Sequence, residues 1–131
     1  MKVVFDTNIY ISALIFPGGR AEAALLKVAE GDAELILSVP VIHEVLDVLS
    51  RKFDRDAEEL ARVAVYLADL GRIVKPKRKL AVLRDEPDNR ILECAVAGHA
   101  DIIVTGDQAM LELGQHKGIR VVTLKAFLDK S

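Results

Sequence analysis

A chain of 131 residues makes one ordinary domain, long enough for a real core and too short for two. At 51% hydrophobic and 29% charged it reads as globular rather than disordered, and a net charge of −2 supplies no global basic field for nucleic acid. The single cysteine, Cys94, excludes a disulfide framework within the chain, and no apolar run is long enough to span a bilayer.

The first apolar run, Val3-Val4-Phe5, predicts a buried strand that ends at Asp6. Its short apolar stretch stops at an acid, so it does not read as a signal peptide, and the expectation is a soluble, cytoplasmic protein with no membrane partner. A helix is predicted over 21–30, followed by a second strand at Leu35-Ile36-Leu37. Helices over 41–52 and 57–70, joined by a short turn, read as a hairpin that flanks a cleft or presents a dimer face. Ile73-Val74 is a short edge strand, and the basic stretch 75–80 (KPKRKL) is a connector. A helix over 88–98, a strand at Ile102-Ile103-Val104, a helix over 108–113 and a strand at Val121-Val122 complete the pattern. Gly31, Gly71, Gly98 and Gly114 stand where helix C-caps belong. Alternating β and α units predict a single domain over 1–131, a three-layer α/β/α sandwich with a mostly parallel sheet.

Four acids fall where the carboxyl ends of such strands and the adjoining helices meet. Asp6 follows the first strand, where the competing role is an N-cap for a helix beginning near Ile9. Asn8 could orient a carboxylate or simply form a turn. Glu44 shares a helix face with Val41, Val45 and Val48, so it needs a partner, either a cation or a basic side chain. Asp88 opens a helix in the segment Asp85-Glu86-Pro87-Asp88, which holds more acid than a helix dipole requires; Asp85 is the weaker candidate. Glu93 is expected at the surface or behind the site. Asp107 ends Val104-Thr105-Gly106-Asp107, where Gly106 permits a sharp turn and Thr105 offers a hydroxyl. Carboxylates gathered at one edge repel unless a cation sits among them, which points to phosphoryl chemistry. Cys94 reads as a small apolar residue, and His43, His99 and His116 have no catalytic placement.

Asp6-Thr7-Asn8, Val41-Ile42-His43-Glu44, the segment 85–93 (DEPDNRILE) and Val104-Thr105-Gly106-Asp107 resemble PIN-domain ribonucleases, especially VapC-like toxins of type II toxin–antitoxin systems. The resemblance covers nearly the whole chain. It implies cleavage of RNA with Mg²⁺ or Mn²⁺, an antitoxin partner and a homodimer. Carried over residue by residue, it makes Asp6, Glu44, Asp88 and Asp107 the catalytic and metal-binding set, with Asn8 and Thr105 in support. Arg20, the 75–79 run and the cluster Arg51-Lys52/Arg55 are candidates for phosphate contact, each against the simpler reading of a solvated surface. Few aromatics accompany these basic residues, so base stacking is not expected.

Two other readings compete. Haloacid-dehalogenase-type phosphohydrolases also carry an aspartate after the first strand, but need a second where Asn8 stands and a later acid where Leu111 stands. A non-catalytic module on the same fold would have no use for an acid cluster that destabilises it by like-charge repulsion.

Overall fold

Short β-branched runs become the buried centre of a sheet, and the rest of the architecture follows from how they are joined. The computed structural model describes residues 1–129, with six strands and seven helices among them. Strand β1 (Lys2–Phe5) is central: Val3, Val4 and Phe5 are wholly buried. It pairs in parallel with β2 (Glu34–Ser38) on one side and with β4 (Ile102–Val104) on the other. Strand β3 (Arg72–Val74) extends the sheet beyond β2, and β6 (Ile119–Val122) beyond β4. The two-residue β5 (Gln115–His116) closes the far edge, antiparallel to β6. The order is therefore β3-β2-β1-β4-β6-β5.

Helices α1 (Thr7–Ile15) and α2 (Arg20–Ala29) link β1 to β2; α3 (Val39–Phe53) and α4 (Ala57–Leu70) link β2 to β3. The chain then reverses direction through α5 (Glu86–Ala97) to β4 and continues through α6 (Gln108–Leu113) to β5 and β6, with α7 (Leu124–Asp129) after β6. Right-handed crossovers running in opposite directions place helices on both faces of the sheet, giving the expected three-layer sandwich. The reversal lies between β1 and β4, the switch point where parallel sheets open a crevice beyond their carboxyl ends.

Local chemistry sets the element ends. Ser38 caps α3 by accepting from the Val41 N–H at 3.3 Å, Asp56 caps α4 by accepting from Glu59 at 2.9 Å, and Thr123 precedes α7 and accepts from Ala126 at 3.0 Å. Gly98 has an ordinary negative φ of −92°, so backbone freedom does not explain it. A Cβ there would lie 2.3 Å from Ile36 Cγ2, which shows how closely the end of α5 approaches β2. Strand β5 and helix α7 were not among the elements expected from the sequence, and α1 entered only as the helix near Ile9 that Asp6 would cap. The first two are too short for a periodic signal, and α1 is apolar nearly all round, so it shows no stripe.

Candidate active site

Asp6 leaves β1 in extended conformation and stands at the N-cap position of α1, yet its side chain makes no capping hydrogen bond. Its carboxylate instead accepts from the Thr105 hydroxyl at 2.7 Å. The same Thr105 oxygen accepts from the Asp107 N–H at 2.9 Å, so one buried hydroxyl joins the turn after β4 to the end of β1. Asp6 is only 4% exposed, and burial raises its pKa. The Thr105 bond opposes that rise, while the charge of Asp107 adds to it.

Asp107 does cap a helix: its Oδ2 accepts from the Met110 N–H at 3.0 Å. The side chain is half-buried. Asp88, in the first turn of α5, is 7% exposed. Burial first, then the charges of Asp107, Asp6 and Asp85, push its carboxyl up to about 7. A side-chain interaction with Asp107 adds the smallest part of the rise. The structure thus brings Asp6, Asp88 and Asp107 within reach of one another's charge, with Thr105 joining Asp6 to Asp107. Exposed Asp85 contributes only its charge.

The other expected residues lie differently. Glu44 is half-buried on α3, as the face it shares with Val41 and Val45 requires. Its charge acts on Arg51 of the same helix and is not among those acting on Asp6 or Asp88. Asn8 is exposed in the first turn of α1. Arg20 is exposed at the start of α2, and its charge acts on Asp129 of α7. Cys94 is fully buried, its thiol pushed up to about 12 by burial, which fits the apolar reading and excludes a nucleophile.

Glu93 is not at the surface, the first of its two expected places. It is buried, pairs with Arg90 at 2.7 Å and accepts from the Leu80 N–H at 2.7 Å. Beside it, buried Asn89 accepts from Val82 and Leu83 at 3.1 and 2.8 Å and donates to the Leu83 carbonyl at 2.8 Å. The signal was present: Asn89, Leu92, Glu93 and Val96 share one helix face, and polar residues on an apolar face need partners.

The donor set is all oxygen, which suits a hard divalent cation. Thr7, next to Asp6, adds a buried hydroxyl with no hydrogen-bond partner among the described residues. Among those residues no three Asp, Glu, His or Cys side chains already converge on one ion-sized point.

A family profile described as "PIN domain" matches residues 2–109. The chain is 31% identical to an uncharacterized protein, MJ1680, of Methanocaldococcus jannaschii, over 99% of this chain and 91% of that one. Its fold is similar to VapBC2 from Rickettsia felis bound to a DNA fragment from their promoter, with a TM-score of 0.68, 16% identity and coverage of 94% and 98%. VapBC-1 from nontypeable Haemophilus influenzae gives a TM-score of 0.66 at 13% identity, with coverage of 95% and 99%. The profile match takes in β1 through the start of α6, and so includes all three gathered aspartates and Thr105. The chain belongs to the PIN-domain family.

Proposed function

We propose that this PIN domain is a divalent-cation-dependent endoribonuclease and the toxin of a toxin–antitoxin pair. One observation carries the catalytic part: burial and its aspartate neighbours hold the Asp88 carboxyl near pH 7. Three carboxylates packed this way destabilise one another, and a cation among them removes that cost. PIN domains are generally nucleases, which agrees with this reading.

Asp6, Asp88 and Asp107 would hold Mg²⁺ or Mn²⁺, with Glu44 the fourth acid, contributing from α3. Bound there, the cation would neutralise charge developing on a phosphate and make a water molecule more acidic. The chain's own contribution is orientation. Thr105 fixes one oxygen of Asp6, and the Met110 N–H fixes one oxygen of Asp107, so each acid presents its other oxygen in a set direction. With no cation present, Asp88 holds its proton below about pH 7.

The toxin role draws on the fold shared with the two VapBC structures, and an antitoxin partner follows from it. Homodimerisation belongs to the same reading. Helix α4 buries only Leu67 and exposes Val65 and Tyr66, an apolar face available to a second copy.

The test is cleavage of single-stranded, transfer and ribosomal RNAs by purified protein with Mn²⁺, with Mg²⁺ and with EDTA, beside a folded Asp6→Asn variant. Cleavage that needs the cation and is lost in the variant is the expected result. The absence of both cleavage and calorimetric Mn²⁺ binding would overturn the reading. Growth arrest on expression of the wild-type chain, absent with Asp6→Asn, tests the toxin role.

A further inference from the structure

Residues 75–84, between β3 and α5, read KPKRKLAVLR: five cations and no acid, in a chain of net charge −2. Arg51, Arg55, Arg62 and Arg72 each meet a carboxylate. Among the described residues Lys75, Lys77, Arg78 and Lys79 form no ion pair, and all four are exposed. Unpaired like charges crowded on one loop repel, so a loop that merely connects two elements has no reason to be held rigid. This one is held. Asn89 binds Val82 and Leu83, Glu93 accepts from the Leu80 N–H, and Arg90 donates to the Leu80 carbonyl at 3.3 Å. That clamp fixes residues 80–83, which directly follow the four cations, against α5, and Asn89 directly follows Asp88.

Two cavities lie along the loop, of about 700 and 320 Å³. Both are lined by Lys75, Lys77, Arg78 and Glu93, so they are two parts of one groove. At one end Pro40 stands one helical turn before Glu44, and Arg90 two residues after Asp88. At the other end His99 and Lys117 lie just before β4 and β6 begin, at the opposite edge of the sheet. The groove therefore follows α5 from Arg90 to Ala97, about 12 Å at 1.5 Å per residue, away from the acids.

No aromatic side chain lines either cavity, which removes base stacking as the mode of recognition. Besides an apolar floor of Val39, Ile73 and Val74, the lining offers a row of positive charges, Lys75, Lys77, Arg78 and Lys79, that suits successive phosphates and carries no base information. Cavities of this size admit one strand and not a duplex.

We infer that this groove holds the sugar–phosphate backbone of single-stranded RNA running from the aspartate cluster; the inference rests on the nuclease reading above. The cluster then cuts a strand whose register is set by Lys75, Lys77 and Arg78, with little preference for sequence along the groove.

The experiment measures anisotropy of a short fluorescein-labelled oligouridylate bound to full-length Asp6→Asn protein in EDTA, across a salt series. Adding Lys77→Gln and Arg78→Gln should weaken binding by about tenfold or more and flatten the log–log salt slope by about 1.4, two phosphates at ~0.7 each. Lys27→Gln, a half-exposed cation on α2 away from the groove, should change neither. In the otherwise wild-type enzyme with Mn²⁺, the same pair should raise KM for single-stranded RNA and leave kcat unchanged. An unaltered salt slope, equal affinity for duplex RNA, or stronger binding of an acidic peptide of matched charge would overturn the inference. Normal cleavage with an unaltered slope removes the groove alone; no cation-dependent cleavage by the unsubstituted protein removes the nuclease reading.

Discussion

The Thr105 hydroxyl donates to Asp6 at 2.7 Å and accepts from the Asp107 N–H at 2.9 Å, so one oxygen sets the relative position of two acids that lie far apart in sequence. Thr105 is fully buried, so neither bond is exchanged with water in the folded state. Thr105→Val keeps the shape and removes both bonds. It should cost about 1–2 kcal/mol through the orphaned Asp107 N–H. It should also lower Mn²⁺ affinity and cleavage by about 10–100-fold, the usual effect of losing a group that orients a ligand. Thr105→Ser keeps the hydroxyl and should retain most of both. Equal loss in the two variants, by calorimetry and cleavage rate, would mean that the methyl packing matters and the hydroxyl does not.

Asp88 makes stability depend on pH in a specific direction. Its carboxyl titrates near 7 in the folded protein, against an ordinary value of 3.8. Between these values the native state keeps a proton that the unfolded chain has released. The contribution of Asp88 to stability is thus greatest in acid, falls as pH rises from about 4 toward 7, and is level above. In EDTA the loss across that range should be on the order of 2 kcal/mol, below the full value of the shift because water screens part of it. Thermal melts of wild type and Asp88→Asn should therefore diverge as pH rises, with the variant the more stable near neutrality. Mn²⁺ should restore wild-type stability more at about pH 7.5 than at about pH 5, because binding must displace the proton. Parallel melting profiles for the two proteins would remove the carboxylate repulsion on which the catalytic reading rests.

The sheet was readable because buried parallel strands are unbroken β-branched runs, and Val3-Val4-Phe5 and Ile102-Ile103-Val104 are such runs. Their adjacency was not readable, since it arises from the reversal of strand order, a tertiary fact. Asp6, Asp88 and Asp107 were expected near one another from their positions at strand ends and at a helix start, and their charges do act on one another. Glu44 was placed on its correct face, yet helical period says which side a residue faces and not which neighbours it meets. That its charge acts on Arg51 therefore had no signal in the sequence. Glu93 is the reverse case: the face it shares with Leu92 and Val96 implied burial, as the same reasoning did for Glu44.

Gly98 tests how tightly α5, which carries Asp88, is seated on the sheet. The Cβ of an alanine would lie 2.3 Å from Ile36 Cγ2, and Ile36 is fully buried in β2 with no space to retreat. Gly98→Ala should destabilise by about 1–3 kcal/mol despite the better helix propensity of alanine. Ile36→Ala removes the opposing methyl, so the double variant should be more stable than the two single effects predict. Additive urea midpoints would show that the clash is relieved elsewhere.

The clamp on the basic loop can be opened without touching an acid of the site. Asn89→Ala removes two bonds accepted from Val82 and Leu83 and one donated to the Leu83 carbonyl. At about 1 kcal/mol each, net of rehydration, the loss should be roughly 2–3 kcal/mol. Part of it should be local, because the Glu93 bond to the Leu80 N–H and the Arg90–Glu93 pair still hold the middle of the loop. Hydrogen exchange should therefore quicken at Val82 and Leu83 well before the global unfolding limit, with β1 and β4 still protected. Trypsin should cut sooner after Lys79 and Arg84, which flank the released segment. If exchange at Val82 and Leu83 rises only in step with β1, the loop opens by global unfolding alone and Asn89 is an ordinary core residue. If it rises alone, Asn89 is what keeps the cations of the loop in a fixed relation to Asp88.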